Sequence, residues 1–164
     1  MSFDVGIRRA APGDLAAVAA LLAQLAPSWH PDAPPAPPTR HDEQVWNDLL
    51  DQDHRIVLVA TAQQEVIGIA DLVLVISLLD GTAPHAILDY LVVSDRYRNQ
   101  GVGKALIAAV ADAAQDFSCC RLELLSSKGL AQAHAFYRAT GFKPTAEGFR
   151  RNLPDHRQGP PGTT

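Results

Sequence analysis

Six consecutive residues, Arg98-Asn99-Gln100-Gly101-Val102-Gly103, followed by Lys104, stand between an apolar run, Ile87–Val93, and a stretch with helical periodicity. In that stretch Val102, Leu106, Val110, Ala114 and Phe117 recur on one face, so it reads as a helix whose first turn opens just after the two glycines. A helix start presents N–H groups with no intrahelical acceptor and the positive end of the helix dipole, and glycines let a ligand approach the main chain. Aimed from a strand end, with Arg96, Arg98 and Lys104 adding charge, this is a site for phosphate oxygens. A second candidate lies within the apolar run itself. Asp89 is a carboxylate in the middle of a segment that, if covered on both faces, should be continuously apolar.

Spacing separates three kinds of phosphate loop. A P-loop needs a glycine where Arg98 stands and a Ser or Thr where Ala105 stands. A dinucleotide fingerprint needs a third glycine where Leu106 stands. What remains is Arg/Gln-x-x-Gly-x-Gly/Ala after an apolar strand, and in this the sequence resembles the GNAT superfamily of acyl-CoA-dependent N-acetyltransferases. A downstream block strengthens the resemblance. Ala135-Phe136-Tyr137-Arg138-Ala139-Thr140-Gly141-Phe142 is similar to the family's closing signature, Phe/Leu-Tyr, three residues, then Gly-Phe. Gly141 also reads as a left-handed helix C-cap, with Phe142 as its hydrophobic contact.

The resemblance covers Arg55–Leu153 well and the N-terminal part in outline, and it carries expectations. It implies an α/β (α+β) fold with a mixed, mostly antiparallel sheet of roughly six to seven strands flanked by about four helices and splayed at the central strand. It implies acetyl-CoA as cosubstrate, with no metal, and Arg98, Asn99, Gln100, Gly101, Val102, Gly103 and Lys104 around its pyrophosphate. Leu91, Val92 and Val93 match the place where a bulged central strand pairs with the pantetheine arm and offers a backbone N–H to the oxyanion. Tyr137 matches the family's general-acid tyrosine. For Asp89 two readings stand side by side: a buried carboxylate able to take a proton from the amine, or an Asp accepting backbone hydrogen bonds at the bulge. Seven residues before Tyr137, Leu130 replaces an asparagine that contacts the coenzyme in many members, which removes one anchor. Ser126, Ser127 and Lys128 offer substitute hydrogen bonds or a helix cap.

Other elements must position these residues. Phe3–Arg9 alternates as a half-buried strand, and Pro12-Gly13-Asp14 starts a helix with Leu15, Val18, Leu22 and Leu25 inward. Pro31–Pro38 holds five prolines in eight residues, so it is an extended connector or a semi-rigid lid, with Trp29 and His30 beside it as substrate candidates. Asp42–Asp51 reads as a helix with Val45, Trp46, Leu49 and Leu50 inward. Arg55–Thr61 and Glu65–Ser77 read as strands, Asp80-Gly81 as a turn, and Gly68 as a bulge or a small residue in a crowded strand. Strands at Arg121–Leu125 and Phe149–Leu153 bracket a Gly129–Thr140 helix, and residues 154–164 read as a disordered tail beyond a single domain over residues 1–153.

Composition narrows the partners. The 164 residues are 47% hydrophobic, enough for one core, and 14 basic against 18 acidic residues leave a net charge of −4. That balance argues against nucleic acid or an anionic membrane and for a cationic amine. With no signal core and no membrane span, a cytoplasmic protein is expected. Cys119 and Cys120 are adjacent, without metal-site spacing or an evident activating partner, so direct attack in a ternary complex is expected over a covalent intermediate. The expected acceptor is a small-molecule amine, of amino acid, amino sugar, aminophosphonate, polyamine or aminoglycoside type. A protein amine and a non-catalytic acyl-CoA sensor are the alternatives, and many relatives are dimers, so a homodimer is possible.

Overall fold

The computed structural model describes residues 4–24, 37–78, 81 and 83–151. Its strands are β1 (Gly6–Arg9), β2 (Arg55–Ala62), β3 (Glu65–Val75), β4 (His85–Val93) and β5 (Leu122–Leu124). Its helices are α1 (Leu15–Leu22), α2 (Arg40–Leu50), α3 (Val102–Asp116) and α4 (Ala131–Ala139). The chain divides into two units, residues 1–127 with the sheet and α1–α3, and residues 128–164 with α4.

In the first unit the strands lie in the order β1-β2-β3-β4-β5, antiparallel throughout except for the parallel β4–β5 pair. β2 and β3 are joined by Gln63 and Gln64, both at positive φ (49° and 69°), as the two central residues of a type I′ hairpin turn must be. Both strands are buried almost throughout, because both sheet faces are covered. On one face Val57, Val59, Ile69 and Val92 meet Val18 and Leu21 of α1 and Trp46 of α2. On the other, α3 buries Val102, Leu106 and Val110, each contributing roughly 1.5–3 kcal/mol, which anchors the helix against the sheet. Gly68 is the small residue in a crowded strand: a Cβ there would lie 3.1 Å from both Leu106 Cδ1 and the Val92 carbonyl oxygen.

Some details differ from expectation. Among the described residues the sheet has five strands, and Phe149–Arg151 is not a strand. Phe149 is almost fully exposed, and with arginines at 150 and 151 that stretch has no apolar face to bury. Helix α2 begins at Arg40, two residues early, because Thr39 and Asp42 form a capping box, with the Asp42 N–H donating to Thr39 Oγ1 (3.3 Å) and the Thr39 N–H to Asp42 Oδ2 (2.7 Å). That helix turns Trp46 inward, where its indole N–H donates to the Ala11 carbonyl (3.2 Å), while Val45 faces out. Phe117, at the end of α3, is also exposed.

The second unit's helix, α4, stops at a Schellman motif. Gly141 takes φ 96°, its N–H donates to the Arg138 carbonyl (3.2 Å), and the Phe142 N–H donates to the Tyr137 carbonyl (3.0 Å). The Phe142 ring meets the Tyr137 ring edge-on with centroids 5.8 Å apart, the hydrophobic contact such a cap carries. Ser126 and Ser127 do not cap this helix, since its N-cap is Leu130 with no side-chain bond.

Candidate active site

The opening beside β4 follows from its ladders. β5 pairs only with Ala86, Ile87 and Leu88, while β3 stays paired with β4 to Val93. The change comes at a bulge: Leu72 opposes Leu88 and Asp71 opposes Tyr90, leaving Asp89 as the extra residue. Beyond it, no strand among the described residues pairs with the second edge of Leu91–Val93, so main-chain groups on that edge are open to an extended ligand. Val92 is buried, and Leu91 and Val93 are half-buried.

The chain leaves β4 through a single 3-10 turn, Asp95–Tyr97, into the glycine loop. Asn99 and Gly101 both take positive φ (59° and 87°), and Gly101 is the N-cap of α3, with no side chain in the way of the Val102, Gly103 and Lys104 N–H groups. Arg98 is tied into the loop, its Nε donating to the Val93 carbonyl (3.3 Å) and Nη2 lying 2.6 Å from Asp95 Oδ1. Gln100 Nε2 donates to the Arg96 carbonyl (2.8 Å), and Lys104 is exposed on the first turn. Arg98 and Gln100 thus brace the loop, and the donor set open to an anion is the helix start with Lys104.

Asp89 is not buried. Its side chain is 54% exposed, because the bulge turns it out of the ladder. The buried carboxylate is Asp71 on β3, with no exposed surface. Burial, opposed by the nearby Arg55 charge, raised further by Asp89 and opposed again by the Tyr90 hydroxyl, pushes Asp71 up to about 6. Arg55 Nη1 lies 3.1 Å from Asp71 Oδ2, and its Nη2 lies 3.6 Å from Asp89 Oδ2. Neither Asp71 oxygen meets full hydrogen-bond geometry with a donor among the described residues, so charge is what joins it to Arg55. Glu123 shares this face through the row Arg55, Val73, Ile87, Glu123, and pairs with Arg121 (3.1 Å) and His85 (3.8 Å). Asp71 carried a signal in the sequence, since it interrupts Val66–Val75 as Asp89 interrupts Ile87–Val93.

Tyr137 is half-buried on α4, and burial raises the pKa of its hydroxyl, keeping it protonated at neutral pH. Trp29, His30 and most of Pro31–Pro38 lie outside the described residues.

A bulged central strand that parts from its parallel neighbour, followed by a glycine-capped helix start with open N–H groups, is the arrangement that the sequence resemblance implies for an acyl-CoA-dependent transferase. Residues 19–142 match the acetyltransferase (GNAT) family, and the chain belongs to that family. It is 35% identical over 141 residues to the aminoglycoside N(6')-acetyltransferase type 1 of Stenotrophomonas maltophilia, spanning 85% of this chain and 86% of that protein. Among solved structures, a transcriptional regulator from Bacillus halodurans C-125 superposes with a TM-score of 0.83 at 22% identity, over 92% of this chain and 100% of the other. The aminoglycoside N-acetyltransferase AAC(6')-Iy, solved in complex with CoA, superposes with a TM-score of 0.77 at 24% identity, over 93% of this chain and 97% of the other. The protein is therefore an acetyl-CoA-dependent N-acetyltransferase.

Proposed function

We propose that this enzyme acetylates a primary amine of a small polycationic amino sugar of the aminoglycoside class. The observation that carries the reading is an exposed carboxylate, Asp89, on the bulge where β4 parts from β5, beside open main-chain groups. Its support in substrate class is the Stenotrophomonas maltophilia relative. The net charge of −4 is of the sign that attracts such an acceptor.

In this reading the N–H groups of Val102, Gly103 and Lys104, on the loop formed by Arg98, Asn99, Gln100 and Gly101, hold the coenzyme's pyrophosphate. The donor chemistry fits: N–H groups at a helix start, a lysine on the first turn, and a left-handed glycine that keeps the approach clear. The open edge of Leu91, Val92 and Val93 binds the extended arm, and a main-chain N–H there stabilises the oxyanion. Asp89 attracts the acceptor's ammonium and takes its proton, directly or through water. The neutral nitrogen then bonds to the thioester carbonyl carbon, and the carbon–sulfur bond breaks as Tyr137 donates a proton to the departing sulfur. The proton still carried by the acylated nitrogen leaves to solvent, from which Tyr137 is reprotonated. No enzyme-bound acyl group is needed. Cys119 fits poorly as a nucleophile, since burial, with the adjacent Cys120 thiol, pushes its pKa up. In the same reading residues 1–153 are a single domain, supported by a family match over residues 19–142.

The test is release of coenzyme A from acetyl-CoA across a panel: aminoglycosides with a 6′-amine, the same scaffolds with a 6′-hydroxyl, amino acids, linear polyamines and a lysine peptide. Turnover confined to, or at least tenfold better with, 6′-amino aminoglycosides supports the proposal. Preference for a peptide or amino acid would overturn it.

A further inference from the structure

The acceptor chemistry above uses Asp89 and leaves the buried charge beside it without a role. Asp71 is fully buried, yet it remains beside an arginine whose other terminal nitrogen reaches the exposed Asp89. The register explains the grouping. Arg55 on β2 opposes Val73, one step along the same face from Asp71, and the bulge brings Asp89 of β4 to the same guanidinium. One cation thus serves two carboxylates in different surroundings. Its approach to Asp71 is the closer, 3.1 Å against 3.6 Å, and lies where water does not weaken it. The approach to Asp89 is long and solvent-exposed, the kind of pair that holds little.

We infer that Asp71 is a positioning residue for the acceptor: its buried carboxylate draws the Arg55 guanidinium inward, leaving Asp89 loosely paired and open to an incoming ammonium. The inference rests on Asp89 being the acceptor-facing carboxylate. With no negative charge at position 71, the guanidinium turns to Asp89, the pair tightens, and a cationic acceptor must displace a cation already in place. Burial raises the Asp71 carboxyl to about 6, so the arrangement responds to pH. The charged and titratable groups acting most directly on it are Arg55 from β2 and Asp89 and Tyr90 from β4; farther along the same face Glu123 of β5 stands with His85 and Arg121, while α1 and α2 bring apolar side chains to this face apart from the Trp46 indole. As pH falls through about 6, Asp71 takes up a proton, its hold on Arg55 is lost, and acceptor affinity falls.

The experiment is steady-state kinetics of the full chain with acetyl-CoA and an aminoglycoside bearing a 6′-amine, at pH 7.5 and then from pH 5 to 8. Asp71→Asn should raise the acceptor KM roughly fivefold, the most that a part-exposed ion pair usually holds back, and leave the acetyl-CoA KM unchanged. Adding Arg55→Gln should bring the acceptor KM back toward wild type, which a merely structural loss at position 71 would not do. In the wild type the acceptor KM should climb as pH drops below about 6, and in Asp71→Asn that climb should be absent. An Asp71→Asn enzyme with wild-type acceptor KM, or one whose raised KM Arg55→Gln does not relieve, overturns the inference. If Asp71→Asn does not fold, the wild-type profile decides, and a flat acceptor KM from pH 5 to 7 overturns it. Asp89→Asn separates the two ideas: wild-type kinetics in that variant refute the acceptor role of Asp89 itself.

Discussion

Burying Asp71 should make the protein lose stability as pH rises, against the usual behaviour of a paired carboxylate. In the unfolded chain its carboxyl ionises near the ordinary 3.8, and in the folded state burial, only partly offset by Arg55, raises this to about 6. Between those values the folded state binds up to one proton more than the unfolded state, so unfolding free energy falls as pH rises from about 4 to about 6 and is level on either side. At ~1.36 kcal/mol for each pH unit between the two values, the loss is roughly 3 kcal/mol. For a chain of this size that is a melting-temperature difference on the order of 6–12 °C. Asn at position 71 has nearly the same shape and no titration, so the difference between wild type and Asp71→Asn isolates this one group. Urea unfolding of both proteins at half-unit steps from pH 3.5 to 8 measures it. Relative to Asp71→Asn, the wild type should weaken steadily from about pH 4 to 6 and then stay parallel. A difference that is flat across this window, or that grows in favour of the wild type, would mean that Arg55 outweighs burial and that Asp71 is an ordinary ionised partner.

Three further outcomes are expected. Gly101→Ala meets no atom within 4 Å but must hold φ 87°, so strain alone should cost roughly 1–2 kcal/mol, seen as a lower melting temperature together with weaker coenzyme A binding by calorimetry; unchanged values for both would remove the left-handed turn from the anion site. Gly68→Ala has the opposite cause, contact with the Val92 carbonyl and Leu106 at 3.1 Å, and should destabilise by about 1–3 kcal/mol by overpacking β3 against α3, as thermal unfolding would register. Tyr137→Phe keeps the ring against Phe142 and should fold normally while turnover at saturating acetyl-CoA drops on the order of 10²-fold; a stable variant with full turnover would leave water as the proton source.

What the sequence determined by itself were the features written within a few neighbouring residues. The glycine loop and start of α3, the cap at Gly141 with its Phe142 contact, and the buried runs of β2 and β3 follow from local backbone preference and apolar periodicity, which do not wait for distant partners. The tertiary structure decided which of two similar aspartates is inside. Asp71 and Asp89 each interrupt an apolar run, and nothing in either run says which faces water. That depends on the register of β3 against β4, because successive strand residues point to opposite faces and one extra residue at a bulge changes the assignment. The bulge turns Asp89 out, leaves Asp71 in, and lets Arg55, from a third strand, stand between them. Such a cluster is a property of pairing between strands distant along the chain, and it exists only once the sheet is formed.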